Sequence, residues 1–479
     1  MILRKRIVYV RHITRSRTLN WKLDVPIISL DNLEDYNTRK KLCSKIIEYS
    51  RNYGYFHLYP EPFIPTKLLN ACYFHSFNFF ALPEDIKRKY ETSPFQSRGW
   101  IPLLKEPSYE PGKLSLVESF DLALNISTDD PLCLLDSNLG PNIYPNDEIP
   151  NFGPDISKLY DATTLAADSL FQLFAEGLGL DGNQFLAHAT RKRRGHMRLL
   201  HYPGKVKMSS ILSSKNTRNA STNKVPFMIT AQNKLKLLAL GYSSEDIKNL
   251  SPAQAHDIIQ LSLPDKVPLL TQNPPRLETP VPHSSQCEED LLPHDMGNHV
   301  GISAHTDFEC FTLLHQTRSG LELQRPSTGE WITVNPPYIN GQGEVLLLPP
   351  HEDYAALMTQ DPNGSPCFTV IIGDLLERWT NGWLRATPHR VPVTDHTRYS
   401  IVKFNGVDGD TVVQPLAPFL EETDERGEVR LLPPLYPAVT QDAHIDAMMK
   451  AGLDNLQEID KSSPASFPDA SSHRNEKSA

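Results

Sequence analysis

The sequence predicts an α+β fold with a mainly β core, wrapped by helices from the N-terminal half. Three observations predict it. Apolar residues recur at helical spacing in long stretches between about residues 38 and 176. From Met197 onward the pattern turns to short β-type runs. The residues with metal-ligand chemistry, His305, Asp307 and His389, all lie in that second half.

Val25 to Leu30 reads as a short strand. A helix follows from about Thr38 to Tyr53, with Leu42, Ile46 and Tyr49 at helical spacing and Gly54 as its stop. Tyr55 to Leu58 is the next strand. After Pro65 a helix runs to Phe80, its stripe of Leu69, Tyr73, Phe77 and Phe80 suited to core packing. Leu82-Pro83-Glu84-Asp85 opens a short helix to Tyr90. A long helix from about Asp155 to Glu176 closes this half, stopped by Gly177 and Gly179.

Arg198 to Pro203 should be a core strand. Between Pro203 and His305 stand 101 residues, far more than a strand connection needs. Within them, residues 209–223 are rich in Ser, Thr and Asn and expected to be disordered, 227–260 have helical periodicity, and 264–293 are a Pro-rich linker. Leu321–Gln324 and Trp331–Val334 bracket Ser327-Thr328-Gly329 as a hairpin. A second insertion is expected over 340–366, holding Val345–Leu348 and a loop histidine, His351; Cys367 to Ile372 is an apolar strand after it.

His305-x-Asp307 plus the remote His389 is a 2-His-1-carboxylate set. Such a set occupies one face of a metal and leaves positions open, which suits non-haem Fe(II) binding O2 and an organic co-ligand together. In a strand His305 and Asp307 share a face, because side chains alternate with period 2. Arg398-x-Ser400 puts a guanidinium and a hydroxyl on one face of a further strand, and the planar fork of arginine holds a carboxylate bidentately. With 17 histidines in the chain, His201, His299, His315 and His396 are read as packing or surface residues.

A net charge of −9 argues against a general nucleic-acid-binding surface, and the Arg191–Arg194 cluster reads as a solvated turn. No run of 18 apolar residues suggests a membrane span. The six cysteines, Cys43, Cys72, Cys133, Cys287, Cys310 and Cys367, are scattered and form no C-x-x-C, which fits free thiols in a reducing compartment. The first 23 residues are basic and contain no acid. They read as a disordered tail, with a mitochondrial transit peptide as the other reading and the cytoplasm as the expected location.

His305-x-Asp307, Gly373-Asp374-Leu375-Leu376-Glu377-Arg378-Trp379-Thr380-Asn381-Gly382, Thr387-Pro388-His389-Arg390-Val391 and Arg398-x-Ser400 together resemble the Fe(II)/2-oxoglutarate-dependent dioxygenases of the isopenicillin N synthase-like type. The resemblance extends over residues 25 to about 203, including Arg98-Gly99-Trp100 and Glu118-Ser119-Phe120-Asp121, and covers about two-thirds of the chain. It implies a double-stranded β-helix, a jelly-roll or cupin-like barrel. It implies Fe(II) on His305, Asp307 and His389, with O2 and 2-oxoglutarate as co-substrates. It implies Arg398 and Ser400, with Tyr202, at the distal carboxylate of 2-oxoglutarate. The family often has Asn-x-Tyr at the last of these positions, and this chain has Leu200 in the Asn place.

The expected reaction is hydroxylation or desaturation of a small organic substrate in secondary metabolism. The alternatives are an isopenicillin N synthase-like oxidase that does not use 2-oxoglutarate, and a catalytically inactive cupin-like binding protein. The expected organisation is a basic tail (1–24), an N-terminal helical region (25–190), the β-helix core (191–420) with insertions at about 205–298 and 340–366, a C-terminal segment and helix (421–460) and a disordered tail (461–479). The 205–298 insertion is a candidate for binding a protein partner.

Overall fold

The computed structural model describes residues 25, 27–92, 98–135, 139–182, 195–205, 299–348, 354, 361, 363–423 and 426–462. The expectations for the basic tail, the Arg191–Arg194 cluster, the insertion beyond Lys205, His351 and the tail beyond Ser462 lie outside those residues.

The N-terminal half alternates short strands with helices. Strand β1 is Ile27–Ser29, and helix α1 is Tyr36–Tyr53. Asp35 caps α1 by accepting the Thr38 N–H at 2.8 Å. The helix stops at Gly54, whose φ of 79° is left-handed, as a glycine stop allows. Strand β2 (Tyr55–Tyr59), α2 (Thr66–Ala81) and α3 (Glu84–Lys87) follow. Then come β3 (Gly99–Ile101), β4 (Leu114–Ser115), β5 (Glu118–Leu122), α4 (Pro131–Leu135) and α5 (Phe152–Gly177). Helix α5 begins three residues before the expected Asp155. Pro154 falls in its first turn, where the backbone N–H groups have no intrahelical acceptor and a proline costs little.

The second half is mostly strand: β6 (Met197–Tyr202), β7 (His299–Val300), β8 (Ile302–His305), β9 (Phe311–Gln316), β10 (Leu321–Gln324) and β11 (Trp331–Val334). Strands β12 (Pro337–Ile339), β13 (Val345–Leu347), β14 (Ser365–Pro366) and β15 (Phe368–Ile372) come next. Helix α6 (Asp374–Trp379), β16 (His389–Val391) and β17 (Arg398–Asn405) complete the site-bearing part. Strands β18 (Val412–Val413), β19 (Glu421–Thr423), β20 (Val429–Leu431) and β21 (Val439–Thr440) lead into α7 (Gln441–Ser462).

An eight-stranded mixed sheet runs in the order β1-β2-β15-β9-β17-β6-β5-β3, and a four-stranded sheet in the order β11-β10-β16-β8. The predicted hairpin is β10–β11, antiparallel, with Leu323 opposite Ile332. Part of the stretch expected as a second insertion is strand: β13 and β14 both pair with β12. Helix α5 packs its apolar stripe on the large sheet. Phe171 and Phe174 meet Phe311 of β9 at ring-centroid distances of 4.8 and 5.5 Å, and Phe174 meets Phe56 of β2 at 6.3 Å. Each of these fully buried rings stabilises the fold by about 1.5–3 kcal/mol. The packing holds β9, and with it the strand beside it that carries Arg398, against a rigid helix. Among the described residues no helix is long and apolar enough to cross a membrane.

Candidate metal centre and carboxylate anchor

Strands β8 and β16 pair antiparallel with His305 directly opposite His389. Directly paired residues project to the same face, and the two imidazole centroids stand 4.3 Å apart. Strand β8 ends at His305, so Asp307 lies just beyond it rather than on the strand. It still reaches both rings: its Oδ1 is 3.8 Å from His305 Nε2 and 3.4 Å from His389 Nε2. One ligand atom from each residue can be chosen so that all three lie within 4.8 Å of one another. The turn is fixed from behind, where the Asp307 carbonyl accepts the Asp374 N–H at the start of α6, 2.8 Å away. Gly373 makes that approach possible, since a Cβ there would stand 2.3 Å from the Glu309 carbonyl oxygen and 3.0 Å from that of Asp307.

Both histidines are held in one tautomer. His305 Nδ1 donates to the Ser303 carbonyl at 2.8 Å, and His389 Nδ1 donates to the Thr387 carbonyl at 3.0 Å. A carbonyl only accepts, so a proton sits on Nδ1 and Nε2 is the ring nitrogen turned towards Asp307, the one that can ligate. Burial, with the charge of His389 beside it, pushes His305 down to about 4. Burial also acts to lower His389, but the Asp307 carboxylate outweighs it and holds the ring above its ordinary value. For Asp307 burial pulls upward, and the two imidazoles win, keeping the carboxyl below its usual range. Asp307 Oδ2 is buried with no hydrogen-bond partner. An orphaned carboxylate oxygen beside two Nε2 atoms whose rings are held through Nδ1 is the donor set of a divalent metal site, and two nitrogens with one carboxylate suit Fe(II).

The Thr387 carbonyl is itself placed by α1. Thr387 Oγ1 donates to the Gly54 carbonyl at 2.6 Å, and its N–H donates to Ile372 O at 3.0 Å. A Cβ at Gly54 would fall 2.3 Å from Thr387 Oγ1, so the helix stop must be glycine for this contact as well as for its φ. On the other side, Tyr109 stacks on His305 (centroids 5.2 Å, interplanar angle 28°) and its N–H donates to Ser303 Oγ at 2.9 Å. Glu110 Oε2 accepts the Ala304 N–H at 3.0 Å.

The second group lies on the large sheet. Arg398 of β17 pairs with Tyr202 of β6, and Ser400 pairs with Leu200. The guanidinium is fully buried and lies 4.7 Å above the Tyr202 ring. Its Nε and Nη2 donate to Gln316 Oε1 at 3.2 and 2.7 Å, and Nε also reaches the Arg318 carbonyl at 3.3 Å. Arg398 Nη1 and Ser400 Oγ are both buried without a partner. Two orphaned donors on one sheet face, one of them cationic, make a seat for a carboxylate. Tyr202 lines that seat, while Leu200 offers it only an apolar side chain.

All six expected residues therefore fall into two groups, His305–Asp307–His389 and Arg398–Ser400–Tyr202. His201 is instead bound to Glu118 Oε1 at 2.7 Å and His315 to the Tyr73 hydroxyl at 2.7 Å, both in the core. His299 and His396 are half-buried. Sequence reasoning missed Gln316, Tyr109 and Glu110. For Gln316 the sequence shows an amide closing the apolar run Phe311 to Leu314, and the register that sets it opposite Ser400 appears in the structure alone.

Two family profiles match the chain. One is described as the N-terminal region of non-haem dioxygenase in morphine synthesis and spans residues 25–147; the other is described as the 2OG-Fe(II) oxygenase superfamily and spans residues 358–406. His389, Arg398 and Ser400 lie within the second span. Among similar proteins, 2-oxoglutarate-dependent dioxygenase citB of Monascus ruber is 25% identical over 402 residues, covering 82% of this chain and 87% of the relative. Clavatol oxidase claD of Penicillium crustosum is 34% identical over 119 residues, 24% of this chain and 27% of the relative. The fold is similar to that of a full-length Neurospora crassa protein crystallised in complex with alpha-KG, with a TM-score of 0.53, 17% identity, and coverage of 89% of this chain and 96% of that one.

Proposed function

The chain belongs to the 2OG-Fe(II) oxygenase superfamily, and from that premise we propose that His305, Asp307 and His389 hold its Fe(II) while Arg398, Ser400 and Tyr202 anchor 2-oxoglutarate. It is an Fe(II)- and 2-oxoglutarate-dependent dioxygenase. The observation that carries the residue assignment is the set of buried unpartnered atoms: Asp307 Oδ2, Arg398 Nη1 and Ser400 Oγ, each in the group where a ligand of opposite character is required.

Bound Fe(II) supplies O2 activation coupled to conversion of 2-oxoglutarate to succinate and CO2. This chain's residues do the rest. The Ser303 and Thr387 carbonyls fix both Nε2 atoms as metal donors. Arg398 Nη1 and the Ser400 hydroxyl take the distal carboxylate, and the Gln316 amide oxygen holds the guanidinium at the angle that leaves Nη1 free. The Tyr202 ring covers one face of that guanidinium, and the full burial of Arg398 keeps water from competing for the carboxylate. The eight- and four-stranded sheets are the two halves of a double-stranded β-helix, a reading supported by the bond from Gln316 Nε2 in the large sheet to the Val334 carbonyl in the small one, 2.9 Å.

The reaction we propose is hydroxylation or desaturation of a small organic molecule in secondary metabolism. Support comes from the fungal relatives and from clavatol, the small molecule in the name of one of them. The test is stoichiometry. Full-length protein with Fe(II), O2, 2-oxoglutarate and a substrate found by untargeted metabolite comparison should release about one succinate per substrate oxidised. Substrate oxidised without succinate would reject the assignment and favour a four-electron oxidase that seats its substrate's own carboxylate on Arg398.

A further inference from the structure

Gly452 stands in the middle of helix α7, where glycine is less favourable than alanine. Its reason is packing. A Cβ there would stand 2.7 Å from Tyr109 Cε1 and 3.0 Å from Pro107 Cβ. The same turn of helix binds the neighbouring backbone: the Ser108 N–H donates to the Gly452 carbonyl at 3.2 Å, and Asn455 Nδ2 donates to the Ser108 carbonyl at 3.0 Å. One turn earlier, Met449 Sδ accepts the Tyr109 hydroxyl at 3.5 Å. Helix α7 thus holds the backbone, the ring and the hydroxyl of the Ser108–Tyr109 segment.

What that segment touches next is the metal centre. Tyr109 stacks on His305, and its N–H donates to Ser303 Oγ, in the residue whose carbonyl takes His305 Nδ1. The Tyr109 ring also meets buried Phe308 edge-on at 5.5 Å, and Phe308 meets His444 of α7 edge-on at 6.3 Å. His444 Nε2 is 2.9 Å from Asp374 Oδ2, and it is the Asp374 N–H that holds the Asp307 carbonyl. One helix therefore reaches the partners of two ligand residues, His305 through Tyr109 and Asp307 through Asp374. The hydrogen bond from His305 Nδ1 fixes one point of its ring, and the stacked Tyr109 fixes the plane.

We propose that α7 is a positioning element of the metal centre: Gly452 seats Tyr109 against His305, and Tyr109 keeps that imidazole in its ligating orientation. Retention of the metal then depends on a helix that supplies no ligand. The inference rests on the reading of His305 and Asp307 as metal ligands. Contacts that orient a ligand from behind typically carry about 10–100-fold in metal affinity. Tyr109 is such a contact, and α7 decides where its ring lies.

The test measures how fast the chelator ferrozine strips Fe(II) from full-length protein under anaerobic conditions, with the melting temperature of each metal-free variant recorded beside it. Tyr109→Ala should speed extraction about tenfold, the lower end of that range. Tyr109→Phe keeps the ring, loses only the Met449 bond, and should restore most of the wild-type rate. Gly452→Ala is the sharper variant. It raises helix propensity, yet its Cβ must displace the Tyr109 ring, so it should speed extraction as Tyr109→Ala does. In the Tyr109→Ala background, where that ring is gone, it should add little. Lys450→Ala, on the exposed side of the same helix, should leave the rate unchanged. Unchanged rates in folded Tyr109→Ala and Gly452→Ala, a Tyr109→Phe variant as fast as Tyr109→Ala, or effects that multiply in the double variant would overturn the proposal. If neither alanine variant folds, Asn455→Ala, which removes only the bond to Ser108, decides: it should speed extraction several-fold, and no change would overturn the proposal. Wild-type protein that retains no Fe(II) would reject the ligand set and this inference with it, whereas wild-type retention with unaltered variants rejects the inference alone.

Discussion

Replacing Arg398 by lysine should weaken 2-oxoglutarate binding while leaving the metal centre intact. The magnitude follows from how the guanidinium is spent. Nε and Nη2 are bound to Gln316 and the Arg318 carbonyl, and Nη1 alone is left for a ligand. A lysine keeps the charge but has one ammonium, which must serve either the Gln316 oxygen or the co-substrate. The variant therefore loses one charge-assisted hydrogen bond, about 1.5–3 kcal/mol. That corresponds to a rise in apparent Kd of roughly tenfold to 150-fold. Ser400→Ala removes a neutral donor and should cost less, about 0.5–1.5 kcal/mol. The assay is succinate formation against 2-oxoglutarate concentration, with Fe(II) content measured in the same preparations. KM should rise with kcat little changed, since the anchor binds ground and transition states alike. A change in KM below about threefold for Arg398→Lys, in a variant with full iron content, would refute the seat assigned to Nη1.

Asp307→Ala should abolish iron retention and turnover together, as read by metal analysis after gel filtration; full activity with bound iron would contradict the ligand assignment. The metal-free protein should lose stability as pH falls. Burial holds His57 and His315 down to about 3 against an ordinary value of 6.5. Below pH 6.5 the unfolded chain therefore takes up protons that the native state refuses. Stability is full above that pH and declines by about 1.4 kcal/mol per pH unit for each histidine. Melting curves from pH 7.5 to 5 should show this, and His57→Phe should flatten the slope; an unchanged slope would exclude His57 as a source of it. Replacing about residues 205–298 by a short Gly/Ser linker should preserve Fe(II) binding, and a folded variant without iron affinity would show that the segment helps build the site.

Much of the site was legible because its chemistry is locally encoded. His305 and Asp307 are two residues apart, Arg398 and Ser400 likewise, and α1 announces its end with Gly54. What was not legible depends on strand register. Gln316 meets Arg398 across 82 residues. The pairing leaves no periodic trace, because it is the adjacency of β9 and β17 in the large sheet that makes them neighbours. Asp307 was expected on a strand face and reaches the metal position from the turn beyond it. The turn succeeds because the Asp374 N–H holds its carbonyl, a contact with no sequence signature. Val345–Leu347 was read as part of an excursion, yet it pairs with Pro337–Ile339. A three-residue strand is too short to declare itself by alternation.

The contact between Gly54 and Thr387 bears on how this enzyme can be divided or recombined. The carbonyl that sets the tautomer of His389 is positioned by a hydroxyl bonded to the end of the first helix, 333 residues earlier. The β core is thus not a self-sufficient module to which helices were added. A chimera that grafted the strands from Met197 onward behind a foreign N-terminal half would inherit all three ligand residues but not the group that aims one of them. The unit of inheritance for metal binding includes the loop at Gly54, and crossover points that keep that loop with its own strands are the ones that can yield working hybrids.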